Sequence, residues 1–172
     1  MKLEQAITTA LEYEGRVHRT YSEAAENTEN DVARRVFSTL RDEEADHIKY
    51  LRDRLDEWRS TGKITVAELD TALVPKAEIE ASAATLRQRL QGSHRQIRGT
   101  EFESLKKALD VERETSAFYK KMVATLDDDG RRLFERFVEI EEGHVAIVQA
   151  EMDLVSGTGF WFDTAEFSLE KA

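Results

Sequence analysis

Apolar residues recur every three or four positions along four long stretches of the chain, which is the spacing of one face of an α-helix. The first stretch predicts a helix over about residues 3 to 27. The second predicts a helix that begins at Asn30 or Asp31 as its cap and ends at Gly62. The apolar positions of these two helices are Leu3, Ile7, Ala10, Val17, Tyr21 and Ala24, then Ala33, Phe37, Leu40, Leu51, Leu55 and Trp58.

The third and fourth stretches form a second helix pair. An acidic turn from Asp127 to Gly130 separates them, and its carboxylates suit the start of the helix that follows. Gly157 is the predicted end of the fourth helix. The apolar positions are Phe102, Leu105, Leu109, Tyr119, Met122 and Leu126, then Phe134, Phe137, Val148, Met152 and Val155.

A connector of about residues 60 to 99 joins the two pairs and is too long for a tight turn. Residues Thr65 to Leu73 and Lys76 to Leu90 have helical patterns, and Pro75 interrupts them. Two closely linked helix pairs joined by one long crossover are the connectivity of ferritin-like bundles. The connector is therefore predicted to be a crossover that contains short helices.

The predicted fold is all-α: a ferritin-like four-helix bundle made of two helix hairpins. We expect a single domain over residues 1–172, with the bundle at about residues 3 to 156. A tail at residues 157–172 follows, and we expect it to pack on the bundle or on a second subunit. Its aromatic residues are Phe160, Trp161, Phe162 and Phe167.

The two halves of the chain resemble each other. Glu14 and Tyr21 recur 98 positions later. Phe37, Glu44 and His47 recur 97 positions later. The counterparts are Glu112, Tyr119, Phe134, Glu141 and His144. An internal repeat of this kind is stronger evidence than any single motif within it.

Polar residues interrupt each apolar stripe at positions that should face the core. They are Glu14, Glu44, His47, Glu112, Glu141 and His144. Burying four unpaired carboxylates would cost several kcal/mol each, and no lysine or arginine occupies the same levels of the stripes. Two divalent cations would cancel four glutamate charges, and two imidazoles would fill further coordination positions. The pattern therefore predicts a two-metal site.

The spacing and the donor types agree with such a site. One glutamate from each of two helices, with a Glu-x-x-His pair from each of the other two, is the carboxylate-bridged two-metal pattern. Residues three apart lie on one helix face, so both members of a pair point toward one ion. Oxygen-rich ligands with imidazole and no sulfur favour iron or manganese over structural zinc, with zinc as an alternative occupant of the same site.

Two tyrosines and two histidines outside these six positions also carry polar rings. Tyr21 and Tyr119 lie two turns from Glu14 and Glu112 on the same helix faces, where they are predicted to pack in the core with each hydroxyl in reach of a ligand carboxylate. His18, one turn from Glu14, is predicted to be a surface or supporting histidine rather than a ligand. His94 is predicted to be solvated in the crossover.

Composition excludes several other classes of protein. A net charge of −10 without a basic stripe argues against a nucleic-acid surface. Because the sequence contains no cysteine, disulfides, thiolate zinc sites and iron–sulfur clusters are excluded within it. We find no apolar run of signal-peptide or membrane-spanning length, so the expected location is the cytoplasm.

Two pairs of motifs resemble those of rubrerythrin-like proteins. Residues 10–14, ALEYE, with Tyr21, and residues 37–47, FSTLRDEEADH, resemble the first helix pair of that family. Residues 108–112, ALDVE, with Tyr119, and residues 141–144, EEGH, resemble the second. The resemblance covers about residues 3 to 156. It implies a di-iron centre whose ligands are Glu14, Glu44, His47, Glu112, Glu141 and His144, with either Glu44 or Glu112 as the bridge.

The resemblance also implies an activity. Proteins of this type react a di-iron centre with peroxide or dioxygen and often form homodimers. The cysteine-rich rubredoxin module of full-length rubrerythrins has no counterpart in this sequence, so electrons are expected from an external, rubredoxin-like donor. Thr115 stands where the family has an extra carboxylate. The alternatives are a non-catalytic iron-storage protein, or a ferritin-like interaction module with an empty or zinc-filled site.

Overall fold

The computed structural model describes residues 1–92 and 99–167, which are all-helical and contain no β-strand. Helices α1, α2, α4 and α5 form a bundle in which α1 packs on α2 and α4, and α4 packs on α5. The predicted all-α ferritin-like bundle is confirmed. The elements are α1 (Leu3–Asn27), α2 (Asp31–Thr61), α3 (Lys76–Arg89), α4 (Gly99–Thr125), α5 (Asp128–Thr158) and a short 3₁₀ turn (Thr164–Phe167).

Local side chains and glycines set the ends of the helices. Asn30 caps α2 by accepting hydrogen bonds from two backbone N–H groups of the first turn, and Gly62 ends the helix in the left-handed conformation at φ 69°. The predicted end of α5 at Gly157 is wrong. The helix continues until Gly159, which adopts φ 74° and donates its N–H to the carbonyl of Val155 at 2.8 Å.

The crossover differs from its prediction in one segment. Residues 65–73 form no helix, although α3 confirms the second predicted helix. Side chains of the bundle bind the segment's carbonyls instead: Tyr50 donates at 2.8 Å, Arg54 at 2.5 Å and Arg136 at 3.0 Å. These bonds replace the helical ladder. The segment and its flank also bury three apolar side chains, namely Ile64, Leu69 and Leu73.

Two apolar clusters fill the bundle, one on each side of its centre. Along every bundle helix, the polar interruptions of the sequence fall between residues of the two clusters. One cluster includes Val17, Tyr21, Phe37, Leu40, Leu105, Leu109 and Val148, and the other includes Ile7, Ala10, Leu51, Tyr119, Met122, Phe134 and Phe137. The polar residues therefore lie in a layer that apolar packing closes at both ends.

The aromatic tail packs on the bundle of its own chain, which is one of the two arrangements expected from the sequence. Trp161, Phe162 and Phe167 are buried. The indole N–H of Trp161 donates to the carboxylate of Glu101 at 3.1 Å, and the backbone N–H of Phe162 donates to Glu151 at 3.3 Å. The tail thus supplies donors to two buried carboxylates outside the centre of the bundle.

Replacing Trp161 with phenylalanine should destabilise the protein more than the same change at Trp58. The first change removes a hydrogen bond to the buried Glu101, which costs about 1–2 kcal/mol. Trp58 is half-buried, and no indole hydrogen bond is described for it, so it controls for the loss of ring area. Urea denaturation followed by circular dichroism measures both. Equal losses would show that the contact with Glu101 contributes nothing.

Candidate metal centre

The six polar residues of the stripes meet at the centre of the bundle, and we call them the central cluster. All six are buried, with at most 1% of each exposed. Helices α1 and α4 each contribute one glutamate, and α2 and α5 each contribute a glutamate and a histidine three residues apart. The members are Glu14, Glu44, His47, Glu112, Glu141 and His144.

Three carboxylates surround His47. Its Nδ1 atom lies 3.3 Å from Oε2 of Glu14, 3.4 Å from Oε2 of Glu44 and 3.4 Å from Oε1 of Glu141. The four side chains come from three helices, α1, α2 and α5. Their donor atoms converge on one point, as the ligands of a single ion do.

The surroundings of His144 repeat this arrangement. Its Nδ1 atom lies 2.8 Å from Oε1 of Glu44, 3.6 Å from Oε1 of Glu112 and 4.0 Å from Oε1 of Glu141. The two imidazole rings stack with their centroids 5.4 Å apart. The centre therefore has two halves that lie side by side.

The two halves share two residues. In each half, one donor atom from every member lies within 4.8 Å of the others, and both Glu44 and Glu141 belong to both halves. The sequence left either Glu44 or Glu112 as the bridge. Glu112 belongs to the His144 half only, whereas Glu141, which was not considered as a bridge, is shared. Glu44 and Glu141 are therefore the two carboxylates that both halves share.

Several polar atoms of the central cluster are buried without a hydrogen bond from any described residue. They are both carboxylate oxygens of Glu44 and of Glu141, Oε2 of Glu112, Nε2 of His47 and both ring nitrogens of His144. Buried polar groups are normally paired, and unpaired carboxylates are the most costly exceptions. No lysine or arginine pairs with these glutamates in the described ranges. A pair of cations fits this donor set.

Two tyrosines connect the halves of the chain. The hydroxyl of Tyr21 donates to Glu112, and that of Tyr119 donates to Glu14. Each hydroxyl thus reaches a carboxylate of the central cluster, and in each case the carboxylate belongs to the opposite hairpin. Burial and then the neighbouring carboxylates raise both tyrosine pKa values well above the usual range. The phenols therefore stay protonated and act as donors.

Without cations, the central cluster holds protons. Burial, together with the charge of Glu44, raises the pKa of Glu14 to about 8, and burial raises that of Glu141 well above its usual value. Burial alone would disfavour a charged His47, but Glu44 and Glu14 outweigh it and raise its pKa to about 10. These protons occupy the place of the cations in the charge balance.

One buried carboxylate beside the centre, Glu43, could not be predicted from the sequence pattern. Only 9% of it is exposed, and its Oε2 atom lies 3.5 Å from Nε2 of His144. Burial opposes its ionisation, but His144, Thr71 and the backbone N–H of Ala72 together hold its pKa below the usual range. Helical periodicity gives no sign of this role, because Glu43 lies off the apolar stripe and its partners belong to the crossover.

The remaining residues singled out from the sequence lie elsewhere. His18 is half-buried and does not belong to any of the three groups of clustered donor atoms among the described residues. His94 lies outside the described residues. Thr115 is buried, and its hydroxyl donates to the carbonyl of Val111 at 2.8 Å, so this position supplies no further carboxylate to the centre.

A four-helix bundle with glutamates and histidines projecting into its core is the architecture of ferritin-like metal proteins. The family model for rubrerythrin matches residues 3–152, so the chain belongs to the rubrerythrin family. No curated protein and no solved structure matches the chain. None of the described helices combines the length and the apolar character needed to cross a membrane.

Divalent cations should displace protons when they bind at pH 7. In the metal-free protein Glu14 and His47 are protonated below their pKa values of about 8 and about 10, whereas ligands bind in the deprotonated form. Affinity should therefore fall as the pH falls, by about tenfold per pH unit for each displaced proton. Calorimetric titration with Mn²⁺ in two buffers of different ionisation enthalpy counts the protons. Binding without proton release would contradict these protonation states.

Proposed function

We propose that this protein is a non-haem di-iron oxidoreductase that reduces hydrogen peroxide or dioxygen with electrons from an external donor. Glu44 and Glu141 would bridge the two ions, because both belong to both halves of the centre. The terminal ligands would be Glu14 and His47 for one ion, and Glu112 and His144 for the other.

The observation that supports this proposal best is the charge of the central cluster. Four buried carboxylates without a lysine or arginine partner in the described residues need four positive charges, which two divalent ions supply. Oxygen-rich ligands with imidazole suit iron and manganese. Iron is proposed because the rubrerythrin family match points to redox chemistry, which zinc does not perform.

When bound, two ferrous ions would supply the electrons for cleaving an O–O bond and would act as Lewis acids. The protein's own residues provide the surroundings. Tyr21 and Tyr119 hold Glu112 and Glu14 in place and keep their protons on the phenol oxygens. Phe137 packs on both Tyr119 and His47, with ring centroids at 4.8 and 5.4 Å, and excludes water from that side.

We further propose that the protein acts as a homodimer in the cytoplasm. Storage of iron is the alternative function. It requires a closed shell of many subunits, and nothing in residues 1–92 and 99–167 calls for such a shell. A ferritin-like interaction module would not need the buried charge of the central cluster.

Replacing Glu112 with alanine should reduce the iron content below that of the wild type, because it removes one ligand of the His144 half. Glu114 on the same helix provides a matched control, since its side chain is 58% exposed and pairs with Arg16. Elemental analysis after anaerobic loading with ferrous iron measures both variants. Equal iron in Glu112→Ala and Glu114→Ala would contradict the ligand assignment.

The reduced, iron-loaded protein should oxidise its iron rapidly in one round with peroxide or dioxygen, and then stop. Reduction of peroxide to two water molecules consumes two electrons and two protons, and a sequence without cysteine offers no iron–sulfur relay to replace the electrons. A rubredoxin-type protein with its reductase should restore turnover. Stopped-flow absorbance of ferric iron follows the first round. Sustained turnover with a reduced nicotinamide cofactor alone would contradict the need for a rubredoxin-type donor protein.

A further inference from the structure

Carboxylates lie on both sides of the His144 ring, with glutamates of the central cluster on one side and Glu43 on the other. Its Nδ1 atom faces the centre, 2.8 Å from Glu44 and 3.6 Å from Glu112. Its Nε2 atom faces away from these glutamates and lies 3.5 Å from Oε2 of Glu43. A ligand histidine normally directs its second ring nitrogen to a carboxylate, a carbonyl or water, which fixes the tautomer and the ring orientation. Glu43 is placed to do this for His144.

The crossover holds Glu43 itself. The hydroxyl of Thr71 donates to Oε2 at 2.5 Å, and the backbone N–H of Ala72 donates to Oε1 at 2.7 Å. The crossover segment is fixed in turn by Tyr50 of α2 and Arg136 of α5, which bind its carbonyls. A continuous set of contacts therefore runs from the non-helical crossover through Glu43 to one histidine of the centre.

The other histidine lies farther from Glu43. One donor atom from each of Glu43, His47 and His144 lies within 4.8 Å of the others, but among the described residues the contact of 4.0 Å or less is the one between Glu43 and His144. The internal repeat places Ile140 97 positions after Glu43, as it places His144 after His47. An isoleucine accepts no hydrogen bond. In the described chain Nε2 of neither histidine has a hydrogen bond, but Nε2 of His144 lies 3.5 Å from Glu43, whereas the carboxylates within 4.0 Å of His47 all face its Nδ1 atom. The two halves of the centre thus have matching glutamates and histidines but different surroundings.

We propose that Glu43 is a positioning residue that orients His144, so that the ion on the His144 side binds more tightly than the ion on the His47 side. This inference rests on the two-ion centre proposed above. It adds an order of binding: the His144 side fills first, and the His47 side fills second and releases its ion first.

Anaerobic titration with Co²⁺ tests this order, because the visible spectrum of cobalt changes with each histidine bound. The wild type should bind two ions in two steps of unequal affinity. Glu43→Gln keeps the size of the side chain, and should weaken the tighter step by about 10–100-fold while leaving the weaker step unchanged. Asp46→Asn removes one charge from an exposed position on the same helix and should change neither step.

Thr71→Val provides a second variant that leaves every residue of the central cluster in place. It removes one hydrogen bond to Glu43 and should weaken the same step by a smaller factor. A purely structural role for Glu43 would instead lower both affinities together, and that result would overturn the proposal. If the wild type binds two ions and neither step changes in Glu43→Gln, the role of Glu43 is overturned and the two-ion centre stands. Fewer than two ions bound by the wild type would contradict the two-ion centre itself.

Discussion

Four carboxylates held out of water at the centre of one helical bundle are the constraint on which the rest of this structure depends. Their mutual repulsion is strong because the surroundings are apolar and no lysine or arginine among the described residues lies between them. The raised pKa values of Glu14 and Glu141 favour their protonated forms, and the raised pKa of His47 favours its charged form, so both changes reduce the repulsion in the metal-free protein. Two divalent cations would remove it more completely.

Hydrogen bonds to these carboxylates link the two hairpins. Tyr21 of the first hairpin donates to Glu112 of the second, and Tyr119 of the second donates to Glu14 of the first. Each half of the centre also contains residues of both hairpins. Neither hairpin alone therefore brings together the donor atoms of either half, and the duplicated motifs act as one unit. The crossover breaks this symmetry, since it contacts the His144 side through Glu43.

The bundle and the central cluster could be predicted from sequence because both depend on periodicity. A glutamate at a core position, such as Glu14 among Ala10 and Val17, is unusual enough to indicate a partner, and the repeat confirmed the register. The non-helical structure of residues 65–73 in the crossover could not be predicted from periodicity. Its backbone groups are bound by side chains of distant helices, as Arg136 binds the carbonyl of Leu69. Glu43 was missed for the same reason, because its partners are assembled only in the folded chain.

Native mass spectrometry after anaerobic addition of ferrous iron tests the central claim most directly. It counts the metal ions bound to each folded chain and compares the mass with that of the metal-free protein. We expect a dominant species with two iron ions per chain, because two divalent ions carry the four positive charges that balance the four glutamates. A chain that stays folded and remains free of iron at saturating concentration would contradict it.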